Sequence, residues 1–199
     1  MAIKSKWIVL IIGVFLLVAS LLKDSCLADD KARDRETLRG IQSVVVIVHA
    51  IAPEWQNELA KVGLSESALQ ATIERQLQKA GIQVTSEESS SRSEFEGILN
   101  VRLNFADPEP AMKKIPALGK SEETIETIDV KKRYIFAIRL NLRQLVFLKR
   151  DPAAVAFSIT WQTESVGMRK LSLIQERIKS LVDVFIEAYA SENPNLINR

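Results

Sequence analysis

One histidine and one cysteine bound the chemistry open to this 199-residue chain. His49 lies near the end of the run LRGIQSVVVIVHAIA, residues 38–52, and Cys26 lies in an N-terminal stretch that reads as an export signal. A zinc site of nitrogen and sulfur ligands cannot be assembled from that inventory, and beyond residue 28 there is no cysteine nucleophile. A Ser-His-Asp triad would need His49 as its base. Set in the most apolar run after the signal, that residue reads as structural, half-buried or at a sheet edge. The seven glycines are scattered singly, so no phosphate-cradling loop is written. The carboxylate pairs Glu54/Glu58, Glu87/Glu88 and Glu122/Glu123 fall in polar segments with nothing to desolvate them, which acid–base work requires. No catalytic, cofactor-binding or metal-ligating residue is assigned, and no cofactor is implied.

Two segments carry a different pattern. In residues 98–105, Leu99, Val101, Leu103 and Phe105 alternate with Asn100, Arg102 and Asn104. In residues 134–148, Phe136, Ile138, Leu140 and Leu142 alternate with Arg139, Asn141 and Arg143. Period-two alternation describes strands with one wet face. Adjacent in a sheet, the two strands align Asn100, Arg102, Arg139, Asn141 and Arg143 as a candidate partner-binding face for an extended anionic or polar ligand. The competing reading is a sheet face kept soluble by charge. The segment Trp161–Gly167 (WQTESVG) reads as a corner, with Thr163 or Ser165 capping the last helix and Gly167 making the turn.

The elements that must position these residues follow an N-terminal segment set apart from the fold. Lys4 and Lys6, then the apolar stretch Trp7–Leu22, then Cys26-Leu27-Ala28 before Asp29-Asp30, have the layout of a secretory signal peptide cut between Ala28 and Asp29. An uncleaved inner-membrane anchor with Lys23 at the far interface is the alternative. A lipoprotein signal would need small or apolar residues before Cys26, where Lys23-Asp24-Ser25 stand. The whole chain carries 27 basic and 25 acidic residues, and three lysines and one aspartate lie in residues 1–28, so the rest has 24 of each. A neutral domain has no field for gathering nucleic acid, and a membrane is reached only through the N-terminal segment, if retained.

Residues 29–37 are charged and aperiodic, a polar tether. Residues 38–192 are expected to form a single domain, with an insertion over 106–132 and a tail over 193–199. Val44, Val46 and Val48 share one face and Val45 and Ile47 the other, as expected of an inner strand that Pro53 ends. Ser65 caps a helix whose Leu69, Ile73 and Leu77 line one side, and Gly81 leaves it. Ile82–Thr85 reads as a short strand parallel to the first. The insertion holds three prolines and could contain a strand near Thr124–Val130. A bulge beyond Gln144 would swap faces in the strand from Tyr134. Val155, Phe157, Ile159 and Trp161 share one face of the last strand, and Met168–Ser191 is the last helix. The expected fold is α+β: a two-layer sandwich with a mixed, mostly antiparallel sheet of about five strands and two helices on one face.

The Leu-Arg-Gly strand start, the helix ending in Ala-Gly-Ile and the late Trp-x-x-x-Ser-Val-Gly segment resemble a group of uncharacterised exported bacterial proteins. In element order the chain is loosely similar to the amino-terminal domain of TolB. The resemblance transfers no activity; with the N-terminal segment it gives the expectation of an exported protein, periplasmic or extracellular, or membrane-anchored by residues 7–22. The sequence therefore points to a non-catalytic binding or assembly module whose partner is an envelope protein or a polar ligand. A hydrolase using His49 as base, or a domain tethered by residues 7–22, is the alternative.

Overall fold

The computed structural model describes residues 32–89, 95–107 and 133–197, and the apolar run at Ser43 lies inside its sheet. β1 (Ser43–Val48) is flanked by β2 (Gln83–Thr85) and β3 (Glu96–Ala106), both parallel to it. β4 (Tyr134–Leu148) runs antiparallel to β3, and β5 (Asp151–Arg169) antiparallel to β4. The order is β2-β1-β3-β4-β5. The fold is α+β with an open, mixed five-stranded sheet.

Two long helices cover one face. α3 (Glu66–Lys79) begins where the Ser65 hydroxyl accepts from the Ala68 N–H at 3.3 Å and ends before Gly81, whose φ of 81° is a left-handed exit that a glycine takes without strain. α4 (Ile174–Glu192) buries Ile178, Leu181, Val182, Phe185 and Tyr189. α3 packs on β1 and β2, α4 on β5 and β4, and the helices touch each other. Their apolar faces meet Val44, Val46, Leu99, Val101, Ile138, Leu140 and Leu142 in one core. Trp161 and Phe185 stack edge-to-face there at 5.1 Å.

Several elements depart from the sequence reading. Pro53 does end the strand region, but as the first-turn residue of a helix, α2 (Pro53–Ala60), where its missing N–H costs nothing. Residues 32–39 do not form a free tether. They contain α1 (Ala32–Glu36), and Thr37 Oγ1 donates to the Thr160 carbonyl at 3.1 Å while the Thr37 carbonyl accepts from Gln144 Nε2 at 2.9 Å. Asn193 is no tail residue either. It is buried, donating to the Leu38 and Tyr189 carbonyls at 2.8 and 3.1 Å and accepting from the Gly40 N–H at 2.8 Å; α5 (Pro194–Ile197) follows it.

The largest correction concerns β5. Trp161–Gly167 is the inner half of a long strand, with Thr163 and Ser165 buried on the core face, so neither caps α4. Ser165 Oγ instead accepts from Arg177 Nε at 2.7 Å, tying strand to helix. Gly167 lies against the Phe136 ring, which a Cβ would approach to 3.2 Å. Two register shifts put extra residues in β5 and leave β4 regular: one lies beyond Gln144, where Phe147 pairs with Val155 and Leu148 with Asp151, and the other lies before it. Leu142 pairs with Trp161 and Arg143 with Ile159, leaving Thr160 as the extra residue. β4 keeps its faces, with Gln144 still inward and buried, while β5 switches. Ile159, Phe157 and Val155 stand opposite Arg143, Leu145 and Phe147, on the outer face. The signal segment, the 108–132 part of the insertion and the strand expected at Thr124–Val130 lie outside the described residues.

Candidate functional site

The β3–β4 register builds the candidate face. Asn100 stands opposite Asn141, Arg102 opposite Arg139, and Ile98 opposite Arg143. Because the alternating apolar partners are drawn into the core, all five sequence-predicted residues lie on the outer side of the sheet, but Asn100 is buried there, 5% exposed, where the alternation predicts a wet position. They line a single concavity of about 540 Å³, joined by His49 and by Phe157, Ser158 and Ile159 from beyond the β5 bulge.

Each cation is held differently. Arg139 donates from Nε and Nη2 to Glu164 Oε2, at 3.1 and 2.9 Å. The Arg143 guanidinium lies 6.0 Å from the centre of the Phe157 ring, at the outer limit of a cation–π contact. Arg102 is exposed and has no ion pair among the described residues, although it faces Arg139 across the strands. Among the described residues, only Arg139 of the three guanidinium groups has a bonded carboxylate. That local excess of positive charge sits on a chain that is neutral beyond residue 28.

His49 was read as scaffold. It follows β1 directly, its N–H donating to the Val101 carbonyl at 2.9 Å, and its ring is half-buried on the outer face. Nε2 lies 3.1 Å from Asn100 Oδ1. Asn100 Nδ2 donates to the Ile98 carbonyl at 3.2 Å, which orients the amide with its oxygen toward the ring. Nε2 therefore carries the proton, and a neutral ring offers Nδ1. A Ser or Asp hydrogen-bonded to the ring, as the hydrolase alternative requires, does not occur among the described residues; the partner is an amide.

A second concavity of about 550 Å³ adjoins the first, sharing His49 and Arg102 and adding Glu54, Trp55, Asn104 and Phe105. Trp55 comes from α2, the helix missed in the sequence, and stands edge-on to Tyr134 at 5.6 Å and tilted to Phe105 at 6.1 Å. The signal that could have found it was Pro53-Glu54: a proline at a first-turn position followed by an acid. Among the described residues, no group of three or more His, Cys, Asp and Glu is placed to hold a metal ion. Of the carboxylate pairs, Glu58 bonds Lys61 at 2.6 Å, Glu87 and Glu88 lie on an exposed turn, and Glu122/Glu123 lie outside the described residues. No described helix is long and apolar enough to cross a membrane.

No family model matches the chain. No curated protein matches it. Among solved structures, a Helicobacter pylori protein described as a neuraminyllactose-binding hemagglutinin homolog matches at 10% identity with a TM-score of 0.37, over 80% of this chain and 90% of that one. At that score the similarity carries no argument about what occupies the concavity.

Proposed function

We propose that this chain is an exported, non-catalytic binding or assembly module that takes a polar, anionic envelope partner on the outer face of β3 and β4. The observation that carries this is the meeting of Arg102, Arg139 and Arg143 in one concavity, with Arg102 left without an ion pair among the described residues. A surface that serves only solubility intersperses both signs. Here two cations face each other across adjacent strands, an arrangement that weakens the sheet and is relieved when an anion binds. Guanidinium forks suit carboxylate or phosphate oxygens, and Asn141 adds an amide donor and acceptor, whereas the Asn100 amide is buried and spent on His49 and the Ile98 carbonyl. The signal peptide of residues 1–28 supports export, with tethering by residues 7–22 as the attachment variant. Mass spectrometry of the exported protein distinguishes these: a terminus at Asp29 rules the tether out.

The test is a pull-down from the native envelope, repeated with Arg102→Glu and Arg143→Glu. The expected result is loss of a partner that the wild type retains at low salt and releases as salt rises. Unchanged partners remove the proposal. Turnover of an envelope substrate that disappears with His49→Ala would replace it with an enzymatic one.

A further inference from the structure

The far end of the β4–β5 hairpin is amphipathic in the opposite sense to the rest of the sheet. β3 pairs with β4 only as far as Arg143, so residues 144–148 and 151–159 extend as a two-stranded arm. On its outer face stand the large side chains Leu145, Phe147, Val155, Phe157 and Ile159; on its inner side β5 offers only Ala154, Ala156 and Ser158. The bulge at Thr160 causes this reversal, because without it Ile159, Phe157 and Val155 would follow Trp161 into the core side. It is a fixed feature: Gln144 Nε2 donates to Thr160 Oγ1 at 2.6 Å, and Thr37 holds the Thr160 carbonyl. Phe147, Val155 and Ile159 are 52%, 46% and 51% exposed. Cations bracket the strip, with Arg143 at its base and Lys149-Arg150 at the tip.

We infer that this arm docks flat on an anionic lipid bilayer, the apolar strip entering the headgroup boundary and Lys149 and Arg150 contacting lipid phosphates. Size selects lipid over a protein partner. The exposed strip offers roughly 400 Å² at most, within the range of functional surface patches but about half of what a stable protein interface takes from each side. A bilayer needs no matching surface; a few inserted side chains and neighbouring cations add up. Bracketing cations fit an anionic headgroup layer and would repel each other across a second copy of the arm.

The test uses the full chain carrying Cys26→Ser, with one new cysteine bearing an environment-sensitive dye. Val155→Cys reports on the arm, and Arg75→Cys, on the exposed side of α3, is the control. Both are titrated with phosphatidylcholine vesicles with and without phosphatidylglycerol, including brominated acyl chains as a depth quencher. The expected result is a blue shift and quenching at position 155 alone, requiring phosphatidylglycerol. Each cation near an anionic surface multiplies partitioning about fivefold, so Lys149→Ala with Arg150→Ala should weaken it about 25-fold. A dye at 155 that stays unmoved overturns the inference, whether the chain remains free or is carried to the vesicles by its N-terminal segment. A shift that needs no lipid and grows with protein concentration assigns the arm to self-association instead. Phe157 and Ile159 belong both to the strip and to the concavity wall; they and Arg143 are left intact, so failure here is separable from failure of the concavity to bind its partner.

Discussion

Arg102→Glu should stabilise the fold while abolishing capture of the proposed anionic partner. Arg102 and Arg139 stand directly opposite each other on β3 and β4. Like charges so placed cost ~0.2–1 kcal/mol, and opposite charges return a similar amount. The Arg139 side chain is 55% exposed and already bonded to Glu164, so solvent screening puts the effect at the low end. The expected gain is about 0.5–1 kcal/mol at low ionic strength. Each kcal/mol moves Tm by ~2–4 °C in a domain of this size, so the rise is about 1–4 °C. Arg102→Gln removes the repulsion without adding an attraction and should give about half of it. The gain should disappear near 1 M salt, where the Debye length falls to ~3 Å. Thermal melts of the three proteins in low and high salt, run beside the pull-down, supply the measurement. A variant no more stable than wild type at low salt, or a difference indifferent to salt, would refute the reasoning that the site is held under electrostatic strain.

Three further outcomes concern the core and its closure. Thr163 Oγ1 is buried without a hydrogen-bond partner among the described residues, so Thr163→Val should raise stability by about 1 kcal/mol in urea denaturation. Asn193→Ala removes three hydrogen bonds at about 1 kcal/mol each, for a loss near 3 kcal/mol; Asn193→Asp keeps the acceptor for Gly40 but points a carboxylate at two carbonyls and should cost at least as much by the same assay. Burial raises the Tyr189 pKa above its ordinary value of 10.0, and its hydroxyl donates to the Ile41 carbonyl at 2.6 Å. The neutral phenol's stabilisation is complete below the unfolded pKa and is lost as pH rises through the higher folded one. Tyr189→Phe should cost about 1 kcal/mol at neutral pH and flatten the alkaline limb of the stability profile.

What the sequence made legible follows its periodicity. β4 alternates cleanly and its bounds are legible, but the face swap expected beyond Gln144 does not occur in it; α3 carries both its serine cap and its exit glycine. The five candidate residues fall on one face, as the alternation predicts, because β3 and β4 pair without irregularity over them. β5 misled because alternation through Val155, Phe157, Ile159 and Trp161 assumes one residue per step, and Thr160 breaks that count. Thr163, Ser165 and Gly167 suggested a corner because the same residue types cap helices and make turns; burial against α4 overrode that local preference. The charges of residues 29–37 concealed Thr37, whose backbone and hydroxyl are fixed by residues more than a hundred positions away. His49 has an amide partner among the described residues and belongs to the concavity wall, a position that depends on the β1–β3 pairing and not on its neighbours in sequence.

The Asn193 latch orders events in time. Its partners Leu38 and Gly40 are among the first described residues of the fold, and Asn193 follows them by 155 and 153 positions. Arg39 and Glu192 repeat the same long closure with an ion pair of 2.8 Å. Contacts of such sequence separation form late and slow the search for the native state. A chain still being made can build β1, α3 and β2 early, but the strand-leading segment stays unfastened until α4 has been completed. A polypeptide emerging in order therefore keeps its leading segment unlatched until nearly its whole length has been made.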